Sequence, residues 1–100
     1  MELHVTADNE TASIAVEGKL TVQTAPELEV AIGNLDATVT KLDIDLAKTD
    51  YVSSAGLRVL AAAEKLMDAR GGEMHLLHPS PKVYEVFSMT GLNKVLSIRK

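Results

Sequence analysis

The 100-residue chain is 46% hydrophobic with a formal net charge of −4, which gives enough apolar content for one packed core and argues against general nucleic-acid binding. Cysteine is absent and aromatic residues are only 3%, which excludes disulfides, thiolate metal sites and a base-stacking platform, and fits a reducing compartment. No apolar run reaches about 18 residues, and "MELHVTADNE" lacks a basic segment followed by an apolar one, so neither membrane insertion nor a secretory signal is expected and a cytoplasmic location is.

Two strands open the chain. Leu3, Val5 and Ala7 alternate with His4 and Thr6, and Ala12, Ile14 and Val16 alternate with Ser13, Ala15 and Glu17. The turn signal "DNE" between them predicts a β-hairpin, which Gly18 ends. In "TAPELEVAIGNL" Thr24 is the expected helix cap, with Pro26 in the first turn, Glu27 three residues after the cap, and Leu28, Ile32 and Leu35 at helical spacing. "KLDIDLA" alternates strictly, with Leu42, Ile44 and Leu46 toward a core and Lys41, Asp43 and Asp45 away from it. "KTDYV" is read as the connection to a helix over Gly56–Arg70. That helix buries Leu57, Leu60, Ala61, Ala63, Leu66 and Met67, leaves Glu64, Lys65 and Asp68 outside, and stops at Gly71. "EMHLLHP" is a further strand. "SPKVYEVFSMTG" is a third helix, capped by Ser80, with Pro81 first and Gly91 last, and "KVLSIR" is the closing strand.

The predicted order is β-β-α-β-α-β-α-β. It describes an α/β fold: a mixed, mostly parallel four- to five-stranded sheet, an opening antiparallel hairpin, and helices mainly on one face. No linker or internal repeat interrupts it, so residues 1–100 are expected to form a single domain.

The stretch "TDYVSSAGLRVL" places Ser53 and Ser54 where a strand hands over to a helix, the place where open α/β sheets gather ligands and reactive groups. Ser53 suits the N-cap. Ser54 falls in the first turn with no capping duty, and Ala55 and Gly56 leave room for a partner's backbone. Three roles compete: helix initiation alone, a nucleophile, or a phosphate acceptor. A nucleophile elbow needs glycine two residues either side of the serine, and Val52 occupies one of those places. A phosphate, carrying about −1.5 to −2 charges, is tolerated by the dipole and free amides at a helix start.

Other residues are read more plainly. Asp43 and Asp45 fit a solvated sheet face. His75 and His78 fit surface or strand-end positions, without the further ligands a zinc site requires. Arg58 is either a solvent-facing helix residue or a contact to a partner or to phosphate on Ser54. Met67, Met74 and Met89 are expected in or near the core.

The block "LDIDLAKTDYVSSAGLRVL" resembles the signature of the STAS family, and within it the anti-sigma factor antagonists. Their motif runs Asp-Ser-Ser/Thr-Gly-Leu-Gly. Gly56 and Leu57 match its Gly-Leu, Ser54 falls on the phosphorylated serine, Ser53 on the aspartate and Ala55 on the second small residue. "VEGKLTVQTAPELE" resembles the family's second strand and first helix, with Thr21 where an aspartate is usual. "MTGLNKVLSI" resembles its C-terminal helix and strand. The resemblance implies an antagonist in a partner-switching pathway, with no catalysis, cofactor or metal of its own. The unmodified form would bind an anti-sigma factor that is a GHKL-type serine kinase, so freeing the sigma factor. Phosphorylation of Ser54 (Ser53 being the alternative) would release it, and a PP2C-type phosphatase would reset it. Thr21, Asp50, Ser53, Ser54, Ala55, Gly56, Leu57 and Arg58 would form the partner surface. The same family also implies an alternative, an accessory subunit that binds the ATPase of an ABC-type membrane transport complex.

Overall fold

In the computed structural model, which describes residues Met1–Lys100, the opening hairpin pairs β1 (Glu2–Asp8) with β2 (Thr11–Leu20), antiparallel and in register from Glu2↔Glu17 to Asp8↔Thr11. Asn9 makes the turn in the left-handed region, at φ 57°. The chain continues through α1 (Ala25–Gly33), β3 (Lys41–Asp45), β4 (Thr49–Val52), α2 (Ser54–Ala69), β5 (Glu73–Leu77), α3 (Pro81–Thr90), a short 3-10 turn at Leu92–Lys94 and β6 (Ser97–Arg99). The expected order is present with one addition: "TDYV" is a strand rather than a loop, and the sheet has six strands.

That extra strand changes how the sheet is built. Strands lie in the order β1-β2-β3-β5-β6, while β4 pairs with β2 alone. β2 is therefore shared along its length. Thr11–Ala15 pair in parallel with β3, and Gly18–Leu20 pair in parallel with β4. Gly18 does not end the strand as expected. It lies at φ 101°, a conformation costly for any other residue, and its amide donates to the Lys48 carbonyl at 2.9 Å. The register shifts beside it. Gly18 faces Thr49 and Lys19 faces Tyr51, so Asp50 is left unpaired as a bulge residue.

The changeover would strand the Val16 carbonyl between two partners. Thr49 meets it: its hydroxyl donates to that oxygen at 2.7 Å. Thr49 is the one polar residue fully buried, at 3% exposure.

All three helices contribute to a single core. Ala12, Ile14, Val16, Leu42, Ile44, Met74 and Leu76 point into it from the sheet, and Leu28, Ile32, Leu60, Met67, Val83 and Phe87 from the helices. The opposite sheet face is polar and open, as the alternation predicts: Ser13, Asp43, His75 and Ser97 form one cross-strand row on it. His75 Nδ1 and Ser97 Oγ are 2.9 Å apart. On β1 the alternation does not translate into burial. Val5 is exposed because this edge strand carries no helix against its core-side face. Met89, expected in the core, is also exposed, at 78%. The helix stops are those expected, with Gly71 and Gly91 left-handed and Ser80 accepting from the Val83 amide at 3.2 Å.

Glu64 departs from its expected outer position. It is half-buried, and its Oε2 is enclosed without a hydrogen-bond partner. Burial pushes its carboxyl above the usual range, Asp68 one turn on pushes the same way, and His75 pulls back. A raised carboxyl pKa in the fold favours the protonated acid. Stability is therefore complete at low pH and declines as pH rises from the ordinary glutamate value through the raised one.

Thr49→Val keeps the shape but leaves the Val16 carbonyl buried and unpaired. It should cost about 1–3 kcal/mol by denaturant unfolding, and a neutral result would remove the pin from this account. Glu64→Gln should raise the melting temperature at pH 7, with the gain disappearing below about pH 4. Equal melting temperatures at pH 7 would contradict the burial cost assigned to this carboxylate.

Candidate functional site

Ser53 continues the ladder of β4 for one residue before the helix begins. Its amide donates to the Leu20 carbonyl at 2.8 Å, and its backbone is extended (φ −82°, ψ 171°). Its carbonyl accepts from the Leu57 amide at 2.9 Å, the first turn of α2, and its Oγ accepts from the Gly56 amide at 3.1 Å. Ser53 is thus the N-cap, half-buried and engaged. Ser54 is the first helical residue and is exposed, and its hydroxyl makes no hydrogen bond to the protein. The two adjacent hydroxyls have separate duties.

Gly56 sets how closely the helix approaches the sheet. A Cβ there would lie 2.7 Å from Leu20 Cγ and 3.2 Å from Val52 Cγ1. Leu20 is fully buried and faces Val52 across the β2–β4 pair, so it has no room to withdraw. Leu57 is buried behind Gly56, Ala55 is half-buried, and Arg58 is exposed one turn after Ser54.

Thr21 follows Leu20 and therefore sits beside Ser53. With Thr24 in the N-cap place expected of it, Thr21 caps the turn that leads into α1. Its Oγ1 accepts from the amides of Gln23 and Thr24, both at 3.2 Å, and its carbonyl accepts from the Ala25 amide at 2.8 Å. Thr24 makes no side-chain cap bond; its hydroxyl donates to the Lys19 carbonyl at 2.8 Å and accepts from the Thr21 amide at 2.7 Å. The Thr24-Glu27 capping box therefore does not form. A threonine suits this place because its oxygen accepts the same bonds a carboxylate would, without the charge.

Of the expected surface residues, the structure gathers Thr21 and Ser53–Arg58 around one junction. Asp50 is exposed but set back along the edge at the bulge of β4. Two residues missed in the sequence join them. Val22 is 64% exposed, and Tyr51 is 46% exposed on the strand leading to the serines. Their signal was available: each is apolar yet outside any period of two or 3.6, where burial has no claim on it. A shallow groove of about 400 Å³ runs between α1 and α2, lined by Val22, Pro26, Glu29, Ala55, Arg58 and Ala62 among others. The imidazoles lie elsewhere. His4 bonds to Glu17, His75 to Ser97, and His78 stands exposed at the end of β5.

A mixed sheet with helices on one face and a serine offered at the start of its central helix defines a small α/β domain of the STAS type. The chain belongs to the STAS-domain family: the family model described as "Mlab, STAS domain" matches residues 3–98. It is 31% identical over 96 residues to the anti-sigma-B factor antagonist of Listeria monocytogenes, spanning 92% of this chain and 82% of that protein. Among solved structures it is similar to an anti-sigma factor antagonist from Mycobacterium paratuberculosis, with a TM-score of 0.86 and 28% identity over 98% of this chain and 84% of that one. The fold also matches the Bacillus cell fate determinant SpoIIAA in its phosphorylated form, with a TM-score of 0.77 and 20% identity over 99% of this chain and 92% of that one.

The two serines should separate by stability. Ser53→Ala loses a cap and should cost about 1 kcal/mol, or about 4–8 °C in melting temperature. Ser54→Ala should stay within about 0.5 kcal/mol of the parent. The reverse ranking in thermal unfolding would overturn the assignment of roles.

Proposed function

We propose that this protein is an anti-sigma factor antagonist, a single-domain, non-catalytic cytoplasmic switch that needs no cofactor. The observation that carries the reading is the exposed, uncommitted hydroxyl of Ser54 beside the committed one of Ser53. The name of the Listeria relative and the phosphorylated SpoIIAA structure support it. In its unmodified form the protein binds an anti-sigma factor serine kinase of GHKL type and frees the sigma factor. Ser54 is the acceptor in preference to Ser53, whose oxygen already holds the Gly56 amide.

The partner docks over Thr21, Ser53, Ser54, Ala55 and Arg58, with Val22 and Tyr51 as its apolar anchors and Asp50 at the margin, while Gly56 and Leu57, both buried, support this surface from beneath instead of touching the partner. Exposed Val and Tyr beside small residues suit a patch that buries aromatic and aliphatic contacts at its centre. In the modification, Ser54 Oγ bonds to the γ-phosphorus of ATP, the bond from that phosphorus to the ADP oxygen breaks, and the hydroxyl proton passes to a base on the kinase. The product is a dianion on a surface fitted to a neutral hydroxyl. Its desolvation and its repulsion from acidic groups at the interface cost several kcal/mol. Each 1.4 kcal/mol is about a tenfold loss of affinity, so the partner leaves. A PP2C-type phosphatase restores the hydroxyl.

Ser54→Asp and Ser54→Glu should weaken binding to the cognate kinase at least about tenfold, and Ser54→Ala should hold the kinase equally well with and without ATP. Calorimetry with purified partners checks this, and a phosphomimetic that binds as tightly as the parent ends the switch reading. Recovery of a transporter ATPase in place of a kinase, indifferent to ATP, would favour the accessory-subunit alternative.

A further inference from the structure

Arg58 follows Ser54 by four residues on α2, and both side chains are exposed. Residues four apart share a helix face, and an anion placed nearer the N-terminus than its cation is the favourable order. The arginine contacts within the structure belong to Arg70 and Arg99, and its ion pairs all involve His4 or His75. The Arg58 guanidinium is therefore uncommitted. It stands at the rim of the α1–α2 groove, where Glu29 is the only carboxylate among the lining residues. The site also departs from the motif it resembles. Ser53 replaces an aspartate, which removes one negative charge, and Arg58 replaces the glycine after Gly-Leu, which adds one positive charge.

We propose that Arg58 is a clamp in cis for phosphate on Ser54. The inference rests on Ser54 being the modified residue. The phosphate closes on the guanidinium one turn along the helix, at the end where the helix dipole favours negative charge. Phosphorylation then removes two partner contacts together, the Ser54 hydroxyl and the Arg58 cation. The charged groups on neighbouring elements include Asp50 on β4, Glu17 and Lys19 on β2, and Glu27 and Glu29 on α1. Arg58 is the cation one turn from Ser54 on its helix face, and Lys65 on that face lies two turns further along.

The test installs phosphoserine at position 54 of the full chain during translation, so that no kinase is involved. Phosphorus NMR then follows the second ionisation of the phosphate. With Arg58 in place this pKa should lie below about 6. Arg58→Gln should raise it by about 0.3 units at low salt. Arg58→Lys should retain most of the lowering, and 1 M salt should erase the difference between parent and variants. An identical phosphate pKa in the parent and in Arg58→Gln overturns the clamp, as does a lowering that survives high salt unchanged. Because the phosphate is built in, this readout stands even if the kinase ignores Ser54, and a failed clamp leaves the binding test of the switch untouched.

Discussion

Everything at the candidate site depends on β2 changing partners partway along its length. Its first half pairs with β3 and its last residues with β4, and the changeover needs a left-handed Gly18, a bulge at Asp50 and a hydroxyl from Thr49 on the Val16 carbonyl. The result is that Leu20 and Val52 end side by side, and the Ser53 amide bonds to the Leu20 carbonyl. α2 is thereby launched from the sheet's end at a fixed place. Gly56 lets it settle against Leu20 with no side chain between them.

This geometry divides one chemical type into two roles. Both residues are serine, yet one oxygen is consumed by the fold and the other is spare. A helix start is unusual in that added negative charge is compatible with it, through the dipole and the free amides, by roughly 0.3–1 kcal/mol at an exposed site. A docked partner meets the same charge as a desolvated anion, and that term is larger. On this account the opposition of the two terms is the switch. The Arg58 clamp widens the difference, since it favours the charge inside the molecule and withdraws a contact from the partner.

Much of this was legible in the chain because its signals are local. β3 alternates cleanly, α2 and α3 carry serine caps and glycine stops, and the Ser53 cap follows from the strand-helix boundary alone. What was not legible is what depends on tertiary pairing. β4 escapes because the bulge gives it the burial order buried, exposed, exposed, buried, which breaks the period of two. Thr24 takes the N-cap place its signature gives, but its hydroxyl turns back to the Lys19 carbonyl and leaves the helix amides, a choice made by where β2 ends. Val5 alternates as a core residue does, yet the helices leave this edge uncovered. Met89 and Glu64 trade the places that helical spacing gives them, since spacing locates a face and not the extent of its cover.

The most direct test compares denaturant unfolding of the chain carrying phosphate on Ser54 with unfolding of the unmodified chain under one set of conditions. The account predicts free energies that agree within about 1 kcal/mol, the scale of a charge at a helix terminus, with the helical signal unchanged. A loss of several kcal/mol, or melting of the first turns of α2, would mean that the dianion acts by damaging its own fold, and the central claim would fall.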